Sequence, residues 1–166
     1  MYDIKPNLII GFHGCEASVR DALLNNPNEI KISKKPFDWL GHGMYFWENN
    51  YERALQWAKD KKSRGAIKEP AVIGAVLYLG VCCDFGKIVD YVKHDVQAKG
   101  HSNHKIFDTT RGVFTEGGPA FPGAGLFAKS HIQICVRNPN CIQGFFMPRK
   151  ELDFSTWLQL NKTVSN

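Results

Sequence analysis

Three short stretches of this chain carry side chains whose types could do chemistry. They are Phe12-His13-Gly14, then Gly41-His42-Gly43-Met44-Tyr45-Phe46, then Ser130-His131-Ile132-Gln133-Ile134-Cys135-Val136. Each sets a polar or aromatic residue on a short apolar run that reads as a strand. Glycine has no Cβ, so Gly41-x-Gly43 permits a tight bend or the close approach of a ligand. The commoner chemistries have no motif here. The sequence contains no Gly-x-x-x-x-Gly-Lys phosphate loop, no Gly-x-Gly-x-x-Gly, no Cys-x-x-Cys and no His-Glu-x-x-His. Six histidines and five cysteines do not space as zinc ligands, so no metal is expected. His13 and Cys15 are two residues apart on a turn, which does not by itself make a nucleophile and base.

The elements that would position these residues are legible to different degrees. Residues 8–14 read as a buried strand ending in a tight turn, and residues 18–24 as a helix stopped by Asn25-Asn26-Pro27-Asn28. Residues 31–38 are a basic loop or short strand broken by Pro36. Met44-Tyr45-Phe46-Trp47 is a short aromatic strand. Side chains alternate along it, so Phe46 is expected in the core, on the face opposite Tyr45. Residues 50–62 form the clearest helix, capped by Asn49 or Asn50 with Glu52 near its positive end. Its apolar face is Ala54, Leu55, Trp57 and Ala58, with Glu52, Arg53, Gln56 and Lys59 largely outside. Residues 71–83 read as one long central strand, bent at Gly74. Residues 87–98 read as a helix buried through Ile88, Tyr91, Val92 and Val96. Residues 100–111 are loop-like, and the glycine- and proline-rich 116–125 segment is irregular. Residues 131–137 and 142–147 are strands separated by Asn138-Pro139-Asn140, and Trp157-Leu158 in the tail packs back. Helices do not alternate regularly with strands, which disfavours parallel winding.

Together the three stretches resemble the diphtheria-toxin-like ADP-ribosyltransferases, the branch that includes the poly(ADP-ribose) polymerases. That family carries a His-Tyr-Glu triad on three separated strands. Its aromatic-His-Gly motif is matched by Phe12-His13-Gly14, and its Gly-x-Gly-x-Tyr-Phe followed by a helix is matched in full by residues 41–46. Tyr78-Leu79-Gly80 resembles the apolar strand ending in Leu-Gly that follows. The resemblance spans residues 8–147. It implies an α+β fold, with one ADP-ribosyltransferase-like domain over residues 1–166 and a split, mostly antiparallel sheet flanked by helices. It also implies NAD as substrate. On this resemblance His13, Tyr45 and Gln133 are the catalytic set. His13 hydrogen-bonds a ribose hydroxyl, Gly14 meets the nicotinamide amide through its backbone, Gly43 lines the dinucleotide, and Tyr45 stacks on nicotinamide with Trp57 as the second aromatic.

Gln133 departs from the family pattern, which has glutamate there. Glutamine keeps a hydrogen bond to a ribose hydroxyl but adds no negative charge beside the forming cation. Chain elongation is therefore not expected, and mono-ADP-ribosyl transfer with release of nicotinamide is. Glu116, in the loop before the last motif, is a carboxylate that could act from outside the triad.

The segment 109–129 falls where the family meets its acceptor. Phe114, Phe121 and Phe127 have faces on which bases stack, and Arg111 and Lys129 have charge for phosphates. A net charge of +5 and a pI near 9.0 suit a nucleic acid. A single-stranded RNA or DNA acceptor is preferred over a protein side chain. Small members of this kind are often toxins or phage-defence effectors, which implies an antitoxin or regulator partner. The competing readings are a silent NAD- or ADP-ribose-binding module and a nucleic-acid-binding protein without chemistry.

The remaining bounds are ordinary. With 166 residues, 43% hydrophobic and 22% charged, the chain is expected to be one soluble domain. No apolar run reaches the roughly 18 residues that span a bilayer. The start of the sequence does not read as a signal peptide, and the odd cysteine count does not read as a disulfide framework. The expected compartment is the cytoplasm, with no membrane partner.

Overall fold

The computed structural model describes residues 8–36, 38–85, 107–125 and 127–149. The expected 87–98 helix and the tail with Trp157-Leu158 lie outside them. The elements are β1 (Leu8–Glu16), α1 (Ala17–Asn25), β2 (Met44–Glu48), α2 (Tyr51–Ser63), β3 (Pro70–Tyr78), β4 (Cys82–Asp84), β5 (Thr109–Phe114), β6 (His131–Val136) and β7 (Ile142–Phe146). A single 3-10 turn, Pro139–Cys141, precedes β7. The strands form one seven-stranded sheet in the order β4-β5-β6-β2-β1-β3-β7. Every neighbouring pair is antiparallel except β4 and β5. The class is thus α+β with a mostly antiparallel sheet.

The helices cover opposite faces, and the sequence of β2 shows why. Alternation sends Phe46 to one face and Trp47 to the other. Phe46 joins Met44, Ile73, Leu77, Ile134 and Leu23 of α1 in the larger core. Trp47 joins Ala54 of α2, Val72, Phe12 and Trp57 in the smaller one. Helix α2 starts where expected. The Asn50 side chain accepts a hydrogen bond from the Arg53 amide, and Glu52 lies in the first turn. Ala54 and Ala58 are its buried residues, and their small size lets the helix lie close to the sheet.

Two expectations about strands are corrected. Residues 71–83 are two strands, broken at Gly80 and not bent at Gly74. Gly80 has φ +58, and Asp108 accepts a hydrogen bond from the Val81 amide beside it, turning the chain off the β3 line. Residues 109–111, expected in a loop, begin β5. Thr109 and Thr110 are fully buried there because each hydroxyl donates to a backbone carbonyl, of Leu79 and of Leu40. The 116–125 segment is part of a folded-back loop, with Pro119 bridged to Phe127 and the Lys129 amide donating to Glu116. Among the described residues, no helix is long and apolar enough to cross a membrane, and no group of His, Cys, Asp or Glu is placed to hold a metal ion.

Candidate functional site at the β1–β2 seam

The three motif-bearing strands are neighbours in space, in the order β6-β2-β1, although up to 120 positions separate them in sequence. The seam between β1 and β2 is short. Only Gly11 with Glu48 and Phe12 with Trp47 are paired across it. Beyond Phe12 the strands part, and the His13 side chain enters the gap. Its Nδ1 lies 2.7 Å from the Tyr45 carbonyl oxygen. A carbonyl only accepts, so Nδ1 carries the proton and Nε2 is left with a lone pair when the ring is neutral. Burial is the main force holding His13 below its ordinary 6.5; the Tyr45 bond opposes it and the Lys61 charge adds to it. The ring also meets Phe46 at 5.9 Å and Trp57 at 6.4 Å between centroids. His13 is therefore a neutral strut with one acceptor nitrogen.

That neutrality has a consequence for stability. A histidine that resists protonation in the fold but not in the unfolded chain favours folding above pH 6.5. The contribution is lost as pH falls from 6.5 through the lowered native value. Chemical denaturation between pH 7.5 and 5 should show this slope, and His13→Asn should reduce it. An unchanged slope in the variant would assign the effect to other groups.

Tyr45 is fixed at both ends. Its hydroxyl donates to the Gly41 carbonyl at 2.8 Å and accepts from the Leu40 amide at 3.1 Å. Burial raises its pKa further above the ordinary range, so the phenol stays protonated. Gly41 takes φ +88, which lets the loop turn back over the ring. Gly43 has a different reason for being glycine. A Cβ there would collide with the Val136 carbonyl and the Cys135 sulfur. Gly14 is similar, since its Cβ would strike the Ala54 carbonyl of α2. Packing of the chain on itself accounts for both glycines without a dinucleotide.

Gln133 stands across from Trp47 in β2 and from Gly112 in β5. Its side-chain nitrogen lies 2.9 Å from Nε2 of His131, whose Nδ1 lies 2.8 Å from the Lys129 carbonyl. Trp47 is 3% exposed and packs against Trp57 and His131. Among the described residues its buried indole N–H has no hydrogen-bond partner, nor has Nε of Arg53. A buried donor left unpaired costs about 1–3 kcal/mol, which makes the Trp47 N–H a candidate donor to a ligand oxygen. Trp57, expected as the second aromatic, packs against His13 and Trp47, and Lys61 Nζ sits 3.9 Å from its ring centroid and occupies one face.

The expected acceptor residues divide. Phe114 is stacked on His131, with centroids 5.7 Å apart. Phe121 is exposed on the folded-back loop, as is Lys129, whose stem packs on Gly117. Arg111 drops out of this surface. It pairs with Ile134, so it points to the face away from Gln133, and Glu48 and Asp84 already hold its guanidinium. Glu116 is not an unpaired carboxylate, because Arg53 of α2 grips it. Arg53, expected largely outside, is 13% exposed; its partner lies 63 positions ahead, beyond any helical-face reading. Trp39, which sequence did not single out, is 80% exposed beside the Leu40–Gly41 turn that holds Tyr45.

The chain has five cysteines. All five are unbridged, and burial pushes the Cys15 thiol up to about 11 and that of Cys135 up to about 12. Both stay protonated near neutral pH, which removes the His13–Cys15 pair as a nucleophile and its base.

No family model matches the chain. No solved structure matches it either. An uncharacterized protein of Methanocaldococcus jannaschii is 28% identical over 102 residues, covering 60% of this chain. The chain spans 45% of that relative's length.

Proposed function

We propose that the chain is an NAD-dependent mono-ADP-ribosyltransferase acting on a single-stranded nucleic acid. The observation that carries this reading is the adjacency of β1, β2 and β6, which gathers the His13, Tyr45 and Gln133 strands at a seam that opens beside them. The residues fit the substrate's groups. His13 offers a lone pair at Nε2 for a ribose hydroxyl, Gln133 offers an amide oxygen, and Tyr45 offers an anchored ring face. The orphaned Trp47 N–H is a further donor.

In the reaction, the bond from the ribose anomeric carbon to nicotinamide breaks, and nicotinamide leaves with the electron pair. The acceptor nucleophile forms the new bond to that carbon and gives up its proton to solvent. The transition state carries positive charge on the ribose, and fixed acceptors beside it lower its energy. The net positive charge and the exposed Phe121 and Lys129 support a nucleic-acid acceptor. One observation favours a silent binding module instead: Gln133 has no charge and Glu116 is held by Arg53.

The test is incubation with adenylate-labelled NAD and separate pools of RNA, DNA and protein, with nicotinamide release followed in parallel. Label is expected on a nucleic-acid pool. Label on protein alone replaces the acceptor, and no label with no nicotinamide release ends the enzyme reading.

A further inference from the structure

We propose that His131 is a positioning residue for Gln133, fixing its side-chain amide so that the acceptor end, Oε1, is the one left for substrate. This rests on the NAD-cleaving reading above, which gives Gln133 a ribose hydroxyl to meet.

The direction of the amide follows from a chain of obligatory donors and acceptors. The Lys129 carbonyl, 2.8 Å from Nδ1 of His131, can only accept, so the proton is on Nδ1. The neutral ring then presents a lone pair at Nε2. The Gln133 amide nitrogen, 2.9 Å away, donates to it. That commits the NH2 end of the amide to His131. Oε1 has no partner among the described residues. The imidazole cannot easily turn to offer anything else. It is 5% exposed, stacked on Phe114 at 5.7 Å and 13°, with Trp47 tilted against it at 6.3 Å.

The need for such a residue comes from the chemistry of an amide. A carboxylate has two equivalent acceptor oxygens and presents one whichever way it turns. An amide has an acceptor end and a donor end, and only the acceptor relieves positive charge growing on the ribose. A chain with glutamine at this place gains from a neighbour that chooses the end. His131 lies two residues back on the same strand, hence on the same face as Gln133.

The test combines spectroscopy with kinetics on the full chain. Long-range proton–nitrogen NMR of 15N-labelled protein is expected to show His131 as the Nδ1–H tautomer. An Nε2–H tautomer would reverse the amide and overturn the proposal whatever the activity. His131→Phe keeps a ring between Phe114 and Trp47 but removes the acceptor nitrogen. It is expected to lower kcat for nicotinamide release roughly tenfold, the loss of about one hydrogen bond, with KM for NAD little changed. Adding Gln133→Glu should then rescue, because a carboxylate needs no orienting: H131F/Q133E is expected to match Q133E alone. A purely structural role would leave the double variant as impaired as His131→Phe, and unchanged kcat in His131→Phe would exclude positioning. If wild type and Q133E both release no nicotinamide, the parent reading falls and this role falls with it. An active wild type with the Nε2–H tautomer, or without rescue, defeats only the role of His131.

Discussion

His13→Asn should leave the chain folded and lower kcat/KM for NAD cleavage by roughly 10- to 100-fold. Asparagine places an amide N–H near the position of Nδ1, where it can still donate to the Tyr45 carbonyl. It has nothing where Nε2 stands, so the acceptor that the proposed reading assigns to a ribose hydroxyl is removed. One lost hydrogen bond in a partly buried site is worth about 1.5–3 kcal/mol, and each 1.4 kcal/mol is tenfold in rate. His13→Ala should lose as much activity and stability as well, because the Tyr45 carbonyl then lacks its side-chain donor. Steady-state nicotinamide release and thermal denaturation separate the two effects. A folded His13→Asn protein with wild-type kcat/KM would remove His13 from the site.

The second large effect is on the fold. Gly14→Ala puts a methyl into the Ala54 carbonyl of α2, and the helix must retreat from β1. Overpacking of this kind costs about 1–3 kcal/mol and sometimes more. For a domain of this size that lowers the melting temperature by roughly 2–12 °C. Gly144→Ala is the control, since an added Cβ there meets nothing among the described residues. Equal melting temperatures for Gly14→Ala and wild type would mean that α2 can shift away from β1 freely. Trp57 rides on α2, so the same variant should disturb the wall behind His13.

What the sequence made legible was local. β1, β2 and α2 are marked by apolar runs, flanking glycines and an asparagine cap within a few residues of one another, and the structure has them there, except that β1 has no tight turn at Gly14 and runs on through Glu16 directly into α1. What escaped depends on partners far along the chain. Thr109-Thr110-Arg111 reads as loop because it closes a polar stretch that begins at Gly100. It is a strand because Leu79 and Leu40 supply carbonyls for the threonines, while Glu48 and Asp84 meet the arginine. Arg53 has helix-surface spacing, and only the return of the loop carrying Glu116 covers it and makes it an ion-pair partner. Gly14 and Gly43 were legible as positions that exclude a side chain, but the group that excludes it was not. In both cases the obstacle is the chain's own backbone. His131 was visible in its motif, yet its bond to Gln133 depends on the Lys129 carbonyl fixing its tautomer.

The short seam gives the sheet a mechanical character. Strands β4, β5, β6 and β2 form one plate, and β1, β3 and β7 another. Two strand pairings, the Asn49 amide donating to the Ile10 carbonyl, and the His13 strut tie plate to plate, with α2 laid across both. On the reading proposed above, a molecule reaching from the His13 strand to the Gln133 strand crosses this joint.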